Sequence, residues 1–127
     1  KEEFRAKILI VDDEPSILDI YAEFLSRRNF SVAKALNSEE ALEIYSTFKP
    51  DIVLTDIKMP VMDGFQLSRQ IKEINPEQRI VMMTGFDFEP EVRNQLEKNN
   101  YPYFTKPADL EGTVLRVIKE EISRMKR

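Results

Sequence analysis

The chain has 127 residues, 42% of them hydrophobic, and a formal net charge of -4, which suits one domain with a real core, expected over residues 1–127, and is short for two. It contains neither cysteine nor histidine, which excludes disulfides, thiol chemistry, the usual zinc ligands and every catalytic arrangement built on imidazole. The acidic balance argues against direct nucleic-acid binding, because that affinity rests on Lys and Arg neutralising phosphates. No stretch approaches the roughly 20 apolar residues of a membrane-spanning helix, and no charged-then-apolar leader opens the chain, so a soluble, cytoplasmic domain with no membrane partner is expected. The start at Lys1 and the charged helical pattern running to Arg127 leave room for a longer protein.

Lys7-Ile8-Leu9-Ile10-Val11 reads as a buried strand that ends on the acids Asp12, Asp13 and Glu14. Pro15 suits the first turn of a helix with Asp13 or Glu14 near its cap, and Ile17, Leu18, Tyr21 and Leu25 recur at helical spacing up to Arg27-Arg28-Asn29. Phe30 to Ala35 alternates like a less buried edge strand. Asn37 followed by Glu40 forms a capping-box pattern for a second helix with Ala41, Leu42, Tyr45 and Phe48 on its apolar face, closed by Lys49-Pro50.

The apolar run from Asp51 to Thr55 is a strand buried on both faces, as in parallel sheets, and it ends on Asp56. After the loop Met59 to Gly64, Leu67, Ile71 and Ile74 mark a third helix, stopped by Asn75-Pro76. Arg79 to Met83 is the fourth strand and delivers Thr84 and Gly85 at its end. A weak helix over Glu89 to Lys98 has only Val92 and Leu96 for its core face, and Asn99-Asn100 suits a left-handed stop. Tyr101-Pro102-Tyr103-Phe104 is a short edge strand leading to Thr105-Lys106-Pro107. Asp109 caps a last helix with Leu110, Val114, Val117, Ile118 and Ile122 on one face. Five alternations of strand and helix, joined by right-handed crossovers, predict an α/β fold: one doubly wound five-stranded parallel sheet flanked by five helices.

Strand ends of such a sheet share one edge, where ligands bind. That edge collects Asp12, Asp13, Asp56, Thr84 and Lys106. Two carboxylates about 4 Å apart repel by roughly 4 kcal/mol at an effective dielectric of 20, so three acids beside one lysine call for protons or a cation. A hard divalent ion such as Mg²⁺, with its preference for carboxylates, water and phosphate, answers the need. A carboxylate beside it is able to attack phosphorus and form an aspartyl phosphate. Taken singly, Asp12 and Asp13 read as helix-capping acids, Asp56 and Thr84 as turn residues, Lys106 as a solvated charge and Tyr103 as a half-buried aromatic.

Together, the fragments Val11-Asp12-Asp13-Glu14, Thr55 to Pro60 with Asp63-Gly64, Met83-Thr84-Gly85 and Tyr103 to Pro107 resemble the receiver domain of two-component response regulators. The resemblance covers the whole chain and implies a flavodoxin-like sheet of order 2-1-3-4-5. It implies that Asp56 accepts phosphate from a phosphohistidine on a sensor histidine kinase or histidine phosphotransfer protein. It also implies Mg²⁺ bound by Asp13, Asp56 and the backbone carbonyl of Lys58, with Asp12 acting through water. Lys106 would pair with the phosphoryl oxygens and Thr84 would donate to one of them. Tyr103 would turn inward as Thr84 moves, and the Lys106-Pro107 peptide would be cis. The output surface would be the fourth helix, fifth strand and fifth helix, acting on an effector domain or through a phosphorylation-dependent homodimer. Such a domain accepts and hydrolyses its own phosphate at most and is not a turnover enzyme.

Lys58, two residues after Asp56, and Phe86, two after Thr84, are expected to tune the phosphate's lifetime, with Phe86 shielding it from water. Three other readings share the architecture. A pseudo-receiver would keep the fold as an interaction module without phosphorylation. A phosphatase of the haloacid dehalogenase type usually carries a second acid where this chain has Lys58. A flavodoxin-like nucleotide binder would find its phosphate repelled by the acids unless metal intervened.

Overall fold

The structure is a computed structural model and describes residues 5–85 and 89–125. Five parallel strands, β1 (Lys7–Val11), β2 (Ser31–Ala35), β3 (Ile52–Asp56), β4 (Arg79–Gly85) and β5 (Tyr103–Lys106), lie in the order β2-β1-β3-β4-β5. Between them run α1 (Pro15–Ser26), α2 (Ser38–Phe48), α3 (Gly64–Ile74) and α4 (Pro90–Lys98). After β5, a π-helical stretch over Leu110–Leu115 leads directly into α5 (Arg116–Ser123). The doubly wound architecture expected from the alternation is thus the one observed.

Strand periodicity divides the core into two layers. Leu9, Val11, Val53 and Met82 point to the side covered by Ala41 and Tyr45 of α2, Leu67 and Ile71 of α3, and Val92 and Leu96 of α4. Ile8, Ile10, Ile52, Leu54, Val81 and Met83 point to the opposite side, under Leu18, Tyr21 and Leu25 of α1 and Val117 and Ile118 of α5. β1, β3 and β4 are central and need apolar residues on both faces, which is why their sequences read as unbroken hydrophobic runs. β2 and β5 sit at the two edges.

Several local expectations shift. β3 starts one residue later than its apolar run and includes Asp56, because the ladder to β4 continues to the pair Asp56–Met83. β4 extends through Gly85, drawn out by pairing with β5. β5 starts at Tyr103, after Pro102, whose ring nitrogen has no hydrogen to give to a ladder. Ile74 is 62% exposed, and Phe65 and Ser68 join Leu67 and Ile71 on the buried face of α3 instead. Asn37 caps α2 by accepting from the Glu40 N–H, but the Glu40 carboxylate accepts from Leu36 N rather than closing the box on Asn37. The complete capping box is at α3, where Asp63 and Gln66 satisfy one another's backbone N–H. Asn100 takes the left-handed turn after α4, with φ 57°, and Asp109 accepts from Gly112 N at the start of the last helix.

The start of α3 packs directly against the end of β3. A Cβ placed on Gly64 would lie 2.4 Å from the Asp56 carbonyl oxygen and 3.0 Å from Ile57 Cα, and Gly64 N donates to Ile57 O at 2.7 Å. Gly64→Ala therefore forces backbone apart at the residue that carries the candidate chemistry. We expect it to lower stability by about 2–3 kcal/mol, as overpacking against a fixed backbone does. A urea midpoint equal to that of the parent would contradict this.

At the opposite end of the sheet, Glu121 of α5 is buried between Arg79 at 3.6 Å and Arg124 at 2.9 Å. The Arg79 guanidinium also donates to the Arg124 carbonyl. These bonds tie the end of the last helix to the start of β4. Among the described residues, no helix is long and apolar enough to cross a membrane.

Candidate functional site

Parallel strands in register finish level with one another. Val11 pairs with Thr55, Asp56 with Met83, and Gly85 with Lys106, so the residues at or just after these positions share one edge of the sheet. Asp12 is fully buried there, Asp56 is 6% exposed, and Asp13 is exposed. One oxygen from each of the three carboxylates lies within 4.8 Å of the others.

Each buried carboxylate is oriented by its own neighbouring backbone and by a shared ammonium. Glu14 N donates to Asp12 Oδ1 at 2.9 Å, and Ile57 N donates to Asp56 Oδ1 at 3.0 Å. Lys106 Nζ, brought in from β5, lies 3.0 Å from Asp12 Oδ2 and 3.4 Å from Asp56 Oδ1. The ammonium thus bridges two acids that come from different strands and would otherwise repel each other.

One positive charge does not neutralise the cluster. Burial, and next the charge of Asp12, push the Asp56 carboxyl up from 3.8 to about 6, with a smaller push from Asp13, while Lys106 pulls the other way. Burial acts against the charge on Lys106, yet its hydrogen bond to Asp12 and the charges of Asp56 and Asp12 outweigh that and hold it above its ordinary value.

The donor set is suited to a hard cation. It consists of oxygen only, and it borders an open cavity of about 680 Å³ lined by Asp13, Asp56, Thr84 and Lys106 among others. Mg²⁺ takes few protein carboxylates and keeps waters or phosphate oxygens in its remaining positions, for which this cavity has room. A softer metal would prefer nitrogen or sulfur ligands, and this chain has neither histidine nor cysteine.

The structure brings Asp12, Asp13, Asp56, Lys58, Thr84 and Lys106 to one place. Thr84 is buried at the end of β4 and borders the cavity together with the exposed Lys58. Tyr103 is half-buried at the first position of β5, opposite Met82, and does not line this cavity. Phe86 lies outside the described residues. The Lys106-Pro107 peptide is cis. One participant went unassigned in the sequence reading: the Glu14 carboxylate lies 3.9 Å from Lys106 Nζ and lines the cavity. Its signal is the acidic run Asp12-Asp13-Glu14, in which the first two acids point to the cluster and Glu14 only to the start of a helix.

A family model described as the response regulator receiver domain matches residues 8–118. Sporulation initiation phosphotransferase F of Bacillus subtilis is 32% identical over 105 residues, covering 83% of this chain and 85% of that protein. Chemotaxis protein CheY of Halobacterium salinarum is 32% identical, over 80% of this chain and 84% of that one. Transcriptional regulatory protein GlrR of Escherichia coli is 30% identical over 82% of this chain, which spans only 23% of its length. The crystal structure of a response regulator receiver domain protein from Clostridium thermocellum superposes with a TM-score of 0.82 at 31% identity, covering 94% of this chain and 95% of that one.

Proposed function

Because the chain belongs to the response regulator receiver domain family, we propose that it is a phosphorylation-dependent signalling switch in which Asp56 is the phosphoacceptor. Receiver domains work with histidine kinases and effector domains. With no histidine in its 127 residues, this domain takes its phosphoryl group from a phosphohistidine on a sensor histidine kinase or a histidine phosphotransfer protein. The observation that carries the reading is the cluster of Asp12, Asp13 and Asp56 around Lys106 at the mouth of the cavity.

In the transfer, a carboxylate oxygen of Asp56 forms a bond to phosphorus as the phosphorus–nitrogen bond of the donor breaks, its electron pair staying on the imidazole. Asp12, Asp13 and Asp56, with the Lys58 carbonyl, would hold Mg²⁺. When bound, that ion supplies positive charge against the phosphoryl oxygens and the clustered acids. The Ile57 N–H keeps Asp56 aimed by binding one of its two oxygens. Lys106 contributes a movable positive charge to the transferred group. Thr84, buried beside the same cavity, supplies a hydroxyl donor to it. Movement of Thr84 towards the phosphoryl group would make room for Tyr103 and alter the face made by α4, β5 and α5, towards an effector or a second copy of the chain.

The test is to incubate the protein with Mg²⁺ and acetyl phosphate and to look by mass spectrometry for a single phosphate adduct. We expect an adduct on the parent and none on Asp56→Asn. A parent that takes no phosphate would be an interaction module that keeps the fold alone, and steady turnover of varied phosphoesters would make it a phosphatase.

A further inference from the structure

We propose that Glu14 is a positioning residue that competes with the incoming phosphoryl group for Lys106 and so slows phosphorylation of Asp56, an inference that rests on Asp56 being the phosphoacceptor. Glu14 occupies the N-cap position of α1 with extended backbone, φ -99° and ψ 109°, yet its side chain makes no capping hydrogen bond. Glutamate is not among the short side chains that cap helices well, so this carboxylate is free to reach elsewhere. Its carboxylate instead reaches within 3.9 Å of Lys106 Nζ.

Lys106 thus has three carboxylates within 4 Å, and they are not equivalent. Asp12 and Asp56 are buried and belong to the cluster able to hold a cation. Glu14 has a side chain 64% exposed and stands outside that cluster. A cation held by the cluster of Asp12, Asp13 and Asp56 would weaken the hold of Asp12 and Asp56 on Lys106 and leave Glu14 its full charge. The remaining contest for the ammonium is then between Glu14 at the mouth and the oxygens of the arriving phosphoryl group. With acetyl phosphate, the Asp56 oxygen-to-phosphorus bond forms, the bond from phosphorus to the acetate oxygen breaks, and acetate leaves with the electron pair. Lys106 serves the transferred group only after parting from Glu14.

With Glu14 in solvent and 3.9 Å between the charges, this pair contributes at most about 1 kcal/mol, equivalent to roughly fivefold in rate. We therefore expect Glu14→Gln to take up phosphate from acetyl phosphate and Mg²⁺ about two- to fivefold faster than the parent. Glu89→Gln is the control for bulk charge: Glu89 lines the same cavity and pairs with no cation among the described residues, so its effect should be smaller. A second readout needs neither phosphate nor metal. The ¹⁵N signal of the Lys106 ammonium should move in metal-free Glu14→Gln and stay in place in Glu89→Gln. A phosphorylated parent whose rate is unchanged by Glu14→Gln, equal acceleration by the two variants, or an unmoved ammonium signal would each overturn the role of Glu14 alone. A parent that takes no phosphate would overturn the phosphoacceptor reading and this inference with it.

Discussion

Without divalent cations at about pH 7.5, Asp56→Asn should be more stable than the parent by on the order of 2–3 kcal/mol. The folded chain holds the Asp56 carboxyl at about 6 against an ordinary 3.8. Between those values the native protein retains a proton that the unfolded chain has released, so stability falls as pH rises through this window and the penalty is complete above it. The asparagine has no charge to desolvate or to set against Asp12. Its advantage should accordingly shrink towards zero as pH approaches 4. If Asp56 is a Mg²⁺ ligand as proposed, saturating Mg²⁺ should cancel most of that advantage, because the parent would gain by mass action about 2.7 kcal/mol at a hundredfold excess over Kd, while the variant would lack a ligand. Urea unfolding at the two pH values, with EDTA and with Mg²⁺, measures all of this. Equal stabilities in EDTA would mean that Asp56 carries no electrostatic strain.

Lys106→Met should act in the opposite direction. The substitution keeps an apolar stem of similar length and removes only the ammonium, which lies 3.0 Å from fully buried Asp12 and 3.4 Å from Asp56. Removing one partner of a buried ion pair leaves an uncompensated charge, generally at a cost of about 3–5 kcal/mol. Here the cavity beside the cluster is open and admits solvent, so a loss of about 2–4 kcal/mol in EDTA is expected. Mg²⁺ should restore much of it by supplying the missing positive charge, and so should acid, by protonating Asp56. A loss that neither treatment relieves would mean that Lys106 acts through packing instead.

The two predictions share a cause that the sequence shows only in part. The hydrophobic runs at β1, β3 and β4 announced a sheet covered on both faces, and the acids Asp12 and Asp56 stood out because each follows such a run. The α2 cap at Asn37 and the α4 core pair Val92 and Leu96 were equally legible, since they depend on residues three or four apart. Ile74 was misplaced because helical spacing marks a face but not how far the neighbouring layer extends over it. Glu14 does stand at the α1 N-cap, but its approach to Lys106 was not legible, because an acid at a helix start and an acid near a distant lysine have the same local sequence. The complete box at Asp63 and Gln66 has a sequence signature and was passed over in favour of the loop reading.

The order of elements, the α/β class and the family resemblance are legible in the residues alone, because hydrophobic period, proline and capping chemistry act over a few residues. Which acids share a charge depends on how the strands come together. Lys106 and Asp12 are 94 residues apart in sequence and 3.0 Å apart in space. That distance follows from strand order, register and burial together, none of which is a property of either residue. It is also the tertiary structure that removes water from Asp56 and sets it beside Asp12, raising it to about 6, a value that no local sequence encodes, because desolvation and Coulomb energy depend on what surrounds a charge.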